Sequence, residues 1–272
     1  MAERVYELEE PLWIGSLEHV IPSELAGIII GRYFTLSGFL NMLKTSELCF
    51  KKISIFEDKA EGLPLYRDTA LSLQQSKRNV DEAYEFRRKE SIIRTVENYY
   101  ASCWTISDHE SYLMWKNYAS FYEGILVLTT VNQLLASLIL HSYEEISDAP
   151  SIGTGKIVTC FFGKVDYGYK EEFGSDHKKA FGKNIYFRDE NEFRIVIYHH
   201  PIIEDNEWRC AIKNFSFIKK IVCSPKSTTE FIDLVRKITM DYSLSELLVQ
   251  ESEIKQDSRN IFDGYIKKEI LD

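Results

Sequence analysis

The 272 residues carry 33 Lys and Arg against 42 Asp and Glu, a formal net charge of -9, which speaks against a protein that tracks a phosphate backbone. A hydrophobic share of 44% beside 28% charged residues, with only 13 Gly and 6 Pro, argues against a disordered or loop-dominated chain and leaves room for a substantial core. The five cysteines, at 49, 103, 160, 210 and 223, show neither C-x-x-C nor Cys/His ligand spacing, so reduced, mostly buried thiols are expected.

The opening MAERVYELEE has neither the basic nor the apolar region of a signal peptide, and no apolar run reaches membrane-spanning length. A cytoplasmic protein with no membrane partner is expected. Residues 1–25 read as an N-terminal lead-in. LAGIIIGRYF (25–34) reads as a buried strand, and Thr35 or Ser37 can cap the helix LSGFLNMLKTS, whose Phe39, Leu40 and Leu43 share a face. ELCFKKI (47–53) is a second strand, FEDKAEGLPLYRD a loop, and 68–99 a strongly charged helical insertion. YASCWTI (100–106) is a strand. Ser107 and Glu110 form an S-x-x-E capping box that starts a helix near Asp108, with Ser111, Trp115 and Tyr118 on one face.

GILVLTT (124–130) then reads as a strand and VNQLLASLILHSY (131–143) as a helix. The second half is strand-rich: 155–168, 192–200, 207–213 and 218–224. Residues 225–272 form a C-terminal extension, with the capped helix STTEFIDLVRKITMDY and a last strand in SELLVQES. Strands and helices alternate without a regular βαβ rhythm. The expectation is therefore one α+β domain over 1–272, a mixed, mostly antiparallel sheet core with flanking helices.

The sharpest chemical pattern is KNIYFRDENEFR (183–194). If Glu192 begins a strand, Glu190, Glu192 and Arg194 point to one face. Two carboxylates side by side repel, raising the pKa of at least one unless a cation from Lys183, Arg188 or Arg194 compensates. In GRYF, Arg32 sits at the end of an apolar strand, where a guanidinium can hold a phosphate or carboxylate, or pair with a structural acid. In SCWT, Ser102 and Trp104 share a strand face, and a hydroxyl beside an indole can orient a ring-bearing ligand. Cys103 has no Cys-His pattern around it to make it a nucleophile.

No metal site is expected. His199 and His200 are adjacent strand residues facing opposite ways, and Glu57, Asp58 and Glu61 lack the alternation of a calcium loop.

Several of these stretches occur in one order: YFTLSGFLNMLKTSELCF, FEDKAEG, SCWTISDHESYLMWKNYA, GILV and KNIYFRDENEFR. Over roughly residues 30–200 they resemble the DUF2971 family of uncharacterised bacterial and phage proteins. The positions that carry the likeness include Tyr33, Ser102, Trp104, Glu110, Trp115, Tyr118, Lys183, Glu190, Glu192 and Arg194.

A second likeness adds chemistry. Arg32 on a first strand, Ser102 on a central strand and Glu190-x-Glu192 on a late strand are similar to ADP-ribosyltransferases of the R-S-E type, with Ser-Cys-Trp where that type has Ser-Thr-Ser. That resemblance implies an ADP-ribosyltransferase-like fold and NAD as substrate. It implies Arg32, Ser102, Glu190 and Glu192 as catalytic residues, with Arg32 on the phosphates and Ser102 supporting the nicotinamide ribose. The final glutamate stabilises an oxocarbenium-like transition state, and Trp104 or Tyr33 stacks on nicotinamide.

Tyr33, Trp104, Glu110, Trp115, Tyr118, Lys183 and Arg194 then line the ligand site. The expected partners are a small nucleotide ligand and a protein or nucleotide acceptor, in bacterial or phage conflict. Two other readings stand beside it. One is a non-catalytic nucleotide-sensing or interaction module in phage defence or counter-defence. The other is a metal-dependent nuclease using Asp58, Glu190, Glu192 and Lys183, for which the net charge is unfavourable.

Overall fold

The computed structural model describes residues 12–14, 21–58, 93, 97–139, 157–168, 176–200 and 202–254. In chain order the elements are β1 (Leu12–Ile14), α1 (Ser23–Ala26), β2 (Ile29–Thr35), α2 (Leu36–Thr45), β3 (Glu47–Lys52), β4 (Tyr99–Ile106), α3 (Tyr112–Tyr118), β5 (Gly124–Thr130) and α4 (Val131–Ser137). The second half adds β6 (Ile157–Lys164), β7 (Asp166–Tyr167), α5 (Asp176–Lys179), β8 (Gly182–Lys183), β9 (Glu192–His200), β10 (Glu207–Ala211), β11 (Lys220–Cys223), α6 (Thr229–Asp241) and β12 (Val249–Glu251). The fold is α+β: a mixed, mostly antiparallel open sheet with several helices. Most of the expected 68–99 insertion and all of 255–272 lie outside the described residues.

Contacts gather into two compact units. Unit 1 comprises Met1–Val20, Leu48–Cys103 and Ile139–Cys210, and unit 2 comprises Ile21–Glu47, Trp104–Leu138 and Ala211–Asp272.

In unit 1, β6 and β9 pair antiparallel over eight positions, from Ile157↔His200 to Lys164↔Phe193. β1 adds to the outer side of β6, and β9 neighbours β4. β3 pairs β4 antiparallel through Lys51↔Ala101 and Lys52↔Tyr100, and β10 pairs β3. FRIVI on β9 is buried on both faces, with Phe193, Ile195, Val196 and Ile197 each 0% exposed around the buried Arg194. A strand covered on both sides needs no alternation, which is why this run is continuous. Ile53, Tyr99, Ala101, Ala180, Phe181 and Val196 form one core cluster.

In unit 2, β2 pairs β5 antiparallel over seven positions, from Ile29↔Thr130 to Thr35↔Gly124, and meets β4 through Ile30↔Ile106 and Gly31↔Thr105. β5 pairs β11 antiparallel, and β11 pairs β12 parallel. All seven residues of β5 are buried. Thr35 caps α2, its hydroxyl accepting from the Gly38 N–H at 3.2 Å, as the sequence leads one to expect. Thr228 caps α6 in the same way through the Phe231 N–H, and Phe231, Ile232, Val235 and Thr239 are the buried stripe. Each such cap stabilises its helix by roughly 1 kcal/mol.

Local expectations are corrected in places. Ser107 and Glu110 do not start a helix at Asp108. Ser107 closes a small turn with the His109 backbone, and α3 begins at Tyr112, with Ser111 as its cap. Glu110 fails to close the box because its carboxylate is taken by other donors, described below. On the seven-residue α3, Met114 and Trp115 are buried, while Tyr118 is 45% exposed. The expected strand 25–34 is shortened at its start by α1, which takes Ser23–Ala26.

The core of unit 2 packs Tyr33, Met114, Trp115, Leu126, Leu128 and Val222 together, with the Tyr33 and Trp115 rings edge to face at 4.9 Å. Gly124 opens β5 beneath that indole. A Cβ there would overlap the Ser120 carbonyl oxygen and press on the Trp115 ring. Gly124→Ala is expected to lower stability by roughly 3 kcal/mol, seen as a lower urea midpoint at unchanged slope. An unchanged midpoint would refute the close approach.

Candidate functional site

The candidate site of unit 1 is made by one short path of chain. β7 and β8 pair in parallel, with Asp166↔Gly182 and Tyr167↔Lys183, which sets Lys183. A 3-10 turn over Ile185–Glu190 follows, capped by the Asn184 carboxamide accepting from the Tyr186 N–H. Asn191 then takes the left-handed region at φ 43°, a conformation Asn tolerates better than most residues, and β9 begins at Glu192.

Glu190 therefore ends the turn and is not on the strand, contrary to the strict alternation the sequence invites. The reversal at Asn191 nonetheless delivers both carboxylates to one ammonium. Lys183 Nζ donates to Glu190 Oε2 at 2.6 Å and to Glu192 Oε1 at 2.8 Å. Arg194 Nε donates to Glu192 Oε2 at 2.6 Å, and Arg194 Nη1 to the Ala180 carbonyl at 2.9 Å. The Glu192 N–H donates to the Tyr167 hydroxyl at 2.8 Å. The cations also lie over rings, Lys183 over Phe187 at 4.9 Å and Arg194 over Phe56 at 5.7 Å.

The network is sealed: Lys183 is 5% exposed, Glu190 8%, Glu192 6% and Arg194 0%. Among the described residues two negative and two positive charges meet here. Burial pushes the Glu192 carboxyl up, but the Arg194 and Lys183 cations outweigh it and hold the group well below the usual carboxylate range. Burial first, then the Glu192 charge, pushes the Tyr167 phenol well above its ordinary value. A carboxylate held this way stays ionised across the neutral range. It suits fixed electrostatic stabilisation of a cation rather than proton transfer.

In unit 2 the expected residues fall into two groups. The Arg32 guanidinium lies over the Phe34 and Trp104 rings, at 5.1 and 5.9 Å from their centroids. Trp104 is 1% exposed. The second group centres on Glu110. Its Oε2 accepts from Trp115 Nε1 at 2.8 Å and from the Ser252 hydroxyl at 2.7 Å, and its Oε1 accepts from the Glu253 N–H at 2.7 Å. Tyr33 stands close by, its hydroxyl accepting from the Ser111 N–H at 2.8 Å. Burial and the Glu110 carboxylate push the Tyr33 phenol up to about 12, against the lowering by its backbone hydrogen bond. Glu110 thus ties α3 to the end of β12. Ser102 is fully buried on the unit 1 part of β4, and Tyr118 is exposed on α3.

Linear reading finds Lys183, Glu190, Glu192 and Arg194 together but misses Tyr167, Ala180, Ser252 and Glu253. The latter act through a backbone atom or through contacts 14 to 143 residues away in sequence, and no local pattern marks them. All five cysteines are free thiols, with Cys160, Cys210 and Cys223 buried. Among the described residues no group of three or more His, Cys, Asp and Glu side chains is placed to hold a metal ion, and no helix is long and apolar enough to cross a membrane. No family model, curated protein or solved structure matches the chain.

Removing one member of the network leaves a buried charge uncompensated. Glu192→Gln is expected to lower unfolding free energy by roughly 3–5 kcal/mol. The pH dependence has a definite sign. Glu192 is depressed in the fold, so its contribution is fully present above its unfolded value of about 4.3 and is lost as pH falls from there towards the folded value. The difference in melting temperature between wild type and Glu192→Gln should hold steady down to about pH 5 and shrink below it. A difference that does not shrink in acid would refute the ionised assignment.

Proposed function

We propose that this chain is an NAD-using, ADP-ribosyltransferase-like enzyme that transfers ADP-ribose or cleaves NAD, with Glu192 as the carboxylate facing the developing cation. The observation that supports the reading is the fixed, ionised state of Glu192 between Lys183 and Arg194. When the bond between nicotinamide and ribose breaks, its electron pair leaves with nicotinamide and positive charge grows on the ribose. A preorganised negative charge lowers that barrier without reorganising at the moment of reaction. Water or an acceptor nucleophile then bonds to the ribose carbon and gives up a proton.

Both Glu192 oxygens are engaged, so the reading requires Lys183 to yield its place to the substrate. The pyridinium charge of NAD is of the same sign as the ammonium it would replace, and it passes to the ribose as the bond breaks, so the carboxylates stay compensated until the nucleophile gives up its proton.

A second reading is favoured by a different observation: the described members of the network pair with one another and are buried, as an ion cluster that only holds structure would be. On that reading the chain is a non-catalytic nucleotide-sensing or interaction module of phage defence or counter-defence.

Chromatography of NAD incubations separates the two. The enzyme reading expects wild type to release nicotinamide in step with ADP-ribose or an ADP-ribosylated acceptor. It also expects Glu192→Gln to lose at least about 100-fold in rate at temperatures where its circular dichroism matches wild type. Because that variant is strained, Glu192→Asp provides the control, retaining charge and recovering part of the rate. No nicotinamide release by wild type overturns the enzyme reading. Thermal stabilisation by NAD without product supports the second.

A further inference from the structure

Unit 1 carries a second feature, made of residues outside the ion network. The end of β9 and the loop leading into β10 border a wide, open depression of about 1010 Å³, its lining including His199, Ile203, Asp205, Trp208 and the Glu207–Arg209 pair. The loop backbone is pinned from beneath. Lys52, 3% exposed, donates through Nζ to the Ile203 carbonyl at 2.7 Å, and its N–H donates to the Asn206 carbonyl at 2.9 Å. The fully buried Tyr100 donates its hydroxyl to the Asp205 carbonyl at 3.1 Å. Three carbonyls of a four-residue stretch are thus held by groups of β3 and β4. The side chains of the loop are consequently presented on a fixed frame, and a ligand would pay little to order them.

The groups so presented have a definite character. Trp208 is half-buried, its indole set edge to face against Phe50 at 5.6 Å, which fixes the ring plane. Glu207 and Arg209 neutralise each other at 2.7 Å. Asp205 is exposed, its backbone carbonyl is used by Tyr100, and Glu204 beside it is exposed as well. Two exposed carboxylates, Glu204 and Asp205, thus precede the indole in the chain, while the buried Lys52 ammonium beneath is paired with Glu97 at 3.5 Å. Burial, then the Glu97 and Asp205 carboxylates, push the Tyr100 phenol beneath up to about 12.

We propose that this cavity binds a small organic cation, an amine or guanidinium on a flat apolar body, with the charged nitrogen at Asp205 and the flat body against Trp208. A charge-assisted hydrogen bond to the carboxylate fixes one end, and contact with the indole holds the other by dispersion and by its attraction for positive charge. The proposal stands apart from the reading of Glu192, because no residue is shared.

Calorimetric titration of the full chain with tryptamine, agmatine and indole-3-acetate tests it. Tryptamine is expected to bind saturably and more tightly than agmatine, and indole-3-acetate not at all. Asp205→Asn should weaken tryptamine roughly tenfold or more. The Asp205 side chain is exposed and its carbonyl contact survives the change, so the variant keeps the wild-type melting temperature. Trp208→Leu should erase the preference for tryptamine over agmatine. Equal binding of indole-3-acetate and tryptamine, an unaltered affinity in Asp205→Asn, or no saturation by about 10 mM would each overturn it. NAD turnover, measured alongside, should be the same in Asp205→Asn as in wild type, so failure here is distinguishable from failure of the NAD reading.

Discussion

Four charged side chains buried together set the terms for unit 1. An isolated carboxylate at the depth of Glu192 would cost several kcal/mol, and only two cations within hydrogen-bond reach make it tolerable. That requirement passes from side chains to backbone. Lys183 reaches both glutamates only if β8 is held by β7, if the 3-10 turn has its length, and if Asn191 accepts the left-handed conformation. Arg194 completes the set from two residues along β9, one strand face away from Phe193. The charges thus specify register where an apolar core alone tolerates slippage, since a shift of one residue would send Glu192 and Arg194 into the opposite, apolar layer.

Unit 2 solves a related problem with one carboxylate and neutral donors. Glu110 satisfies a buried indole N–H, a buried serine and a backbone N–H at the end of β12. The indole it holds is also the floor on which Gly124 must lack a side chain, and its edge meets the Tyr33 ring. A stretch that reads as a pocket wall, with tryptophans at 104 and 115, is in fact sealed on both counts. Its large residues anchor packing, each contributing roughly 2–3 kcal/mol of burial. In unit 1, by contrast, Trp208 is only half-buried, near the start of β10 and just after a charged loop.

Much of the fold was legible. GILVLTT, EFRIVIYHH and the capped helix after Ser227 occupy the elements their patterns predict, because burial on two faces and a hydroxyl cap are local properties. The Ser107 box was misleading for a physical reason. S-x-x-E closes only when the glutamate has nothing better to bind, and Glu110 finds three donors that are distant in sequence or lie inside α3. The pairing of Glu190 with Glu192 was read correctly as proximity and incorrectly as strand alternation, since a left-handed Asn191 brings about what the pleat would not.

What the sequence by itself determined is the set of groups that had to meet: two glutamates, a lysine and an arginine within twelve residues, beside a strand too apolar to be left in water. It also determined the α+β class, because periodicity and capping are written in neighbouring residues. Only the tertiary structure decided that these charges are sealed rather than open, that Glu110 is a clamp, and that Lys52 and Tyr100 hold a loop more than a hundred residues onward. Burial and long-range hydrogen bonds depend on which surfaces the chain folds together, and that is fixed by the whole topology rather than by any stretch of it.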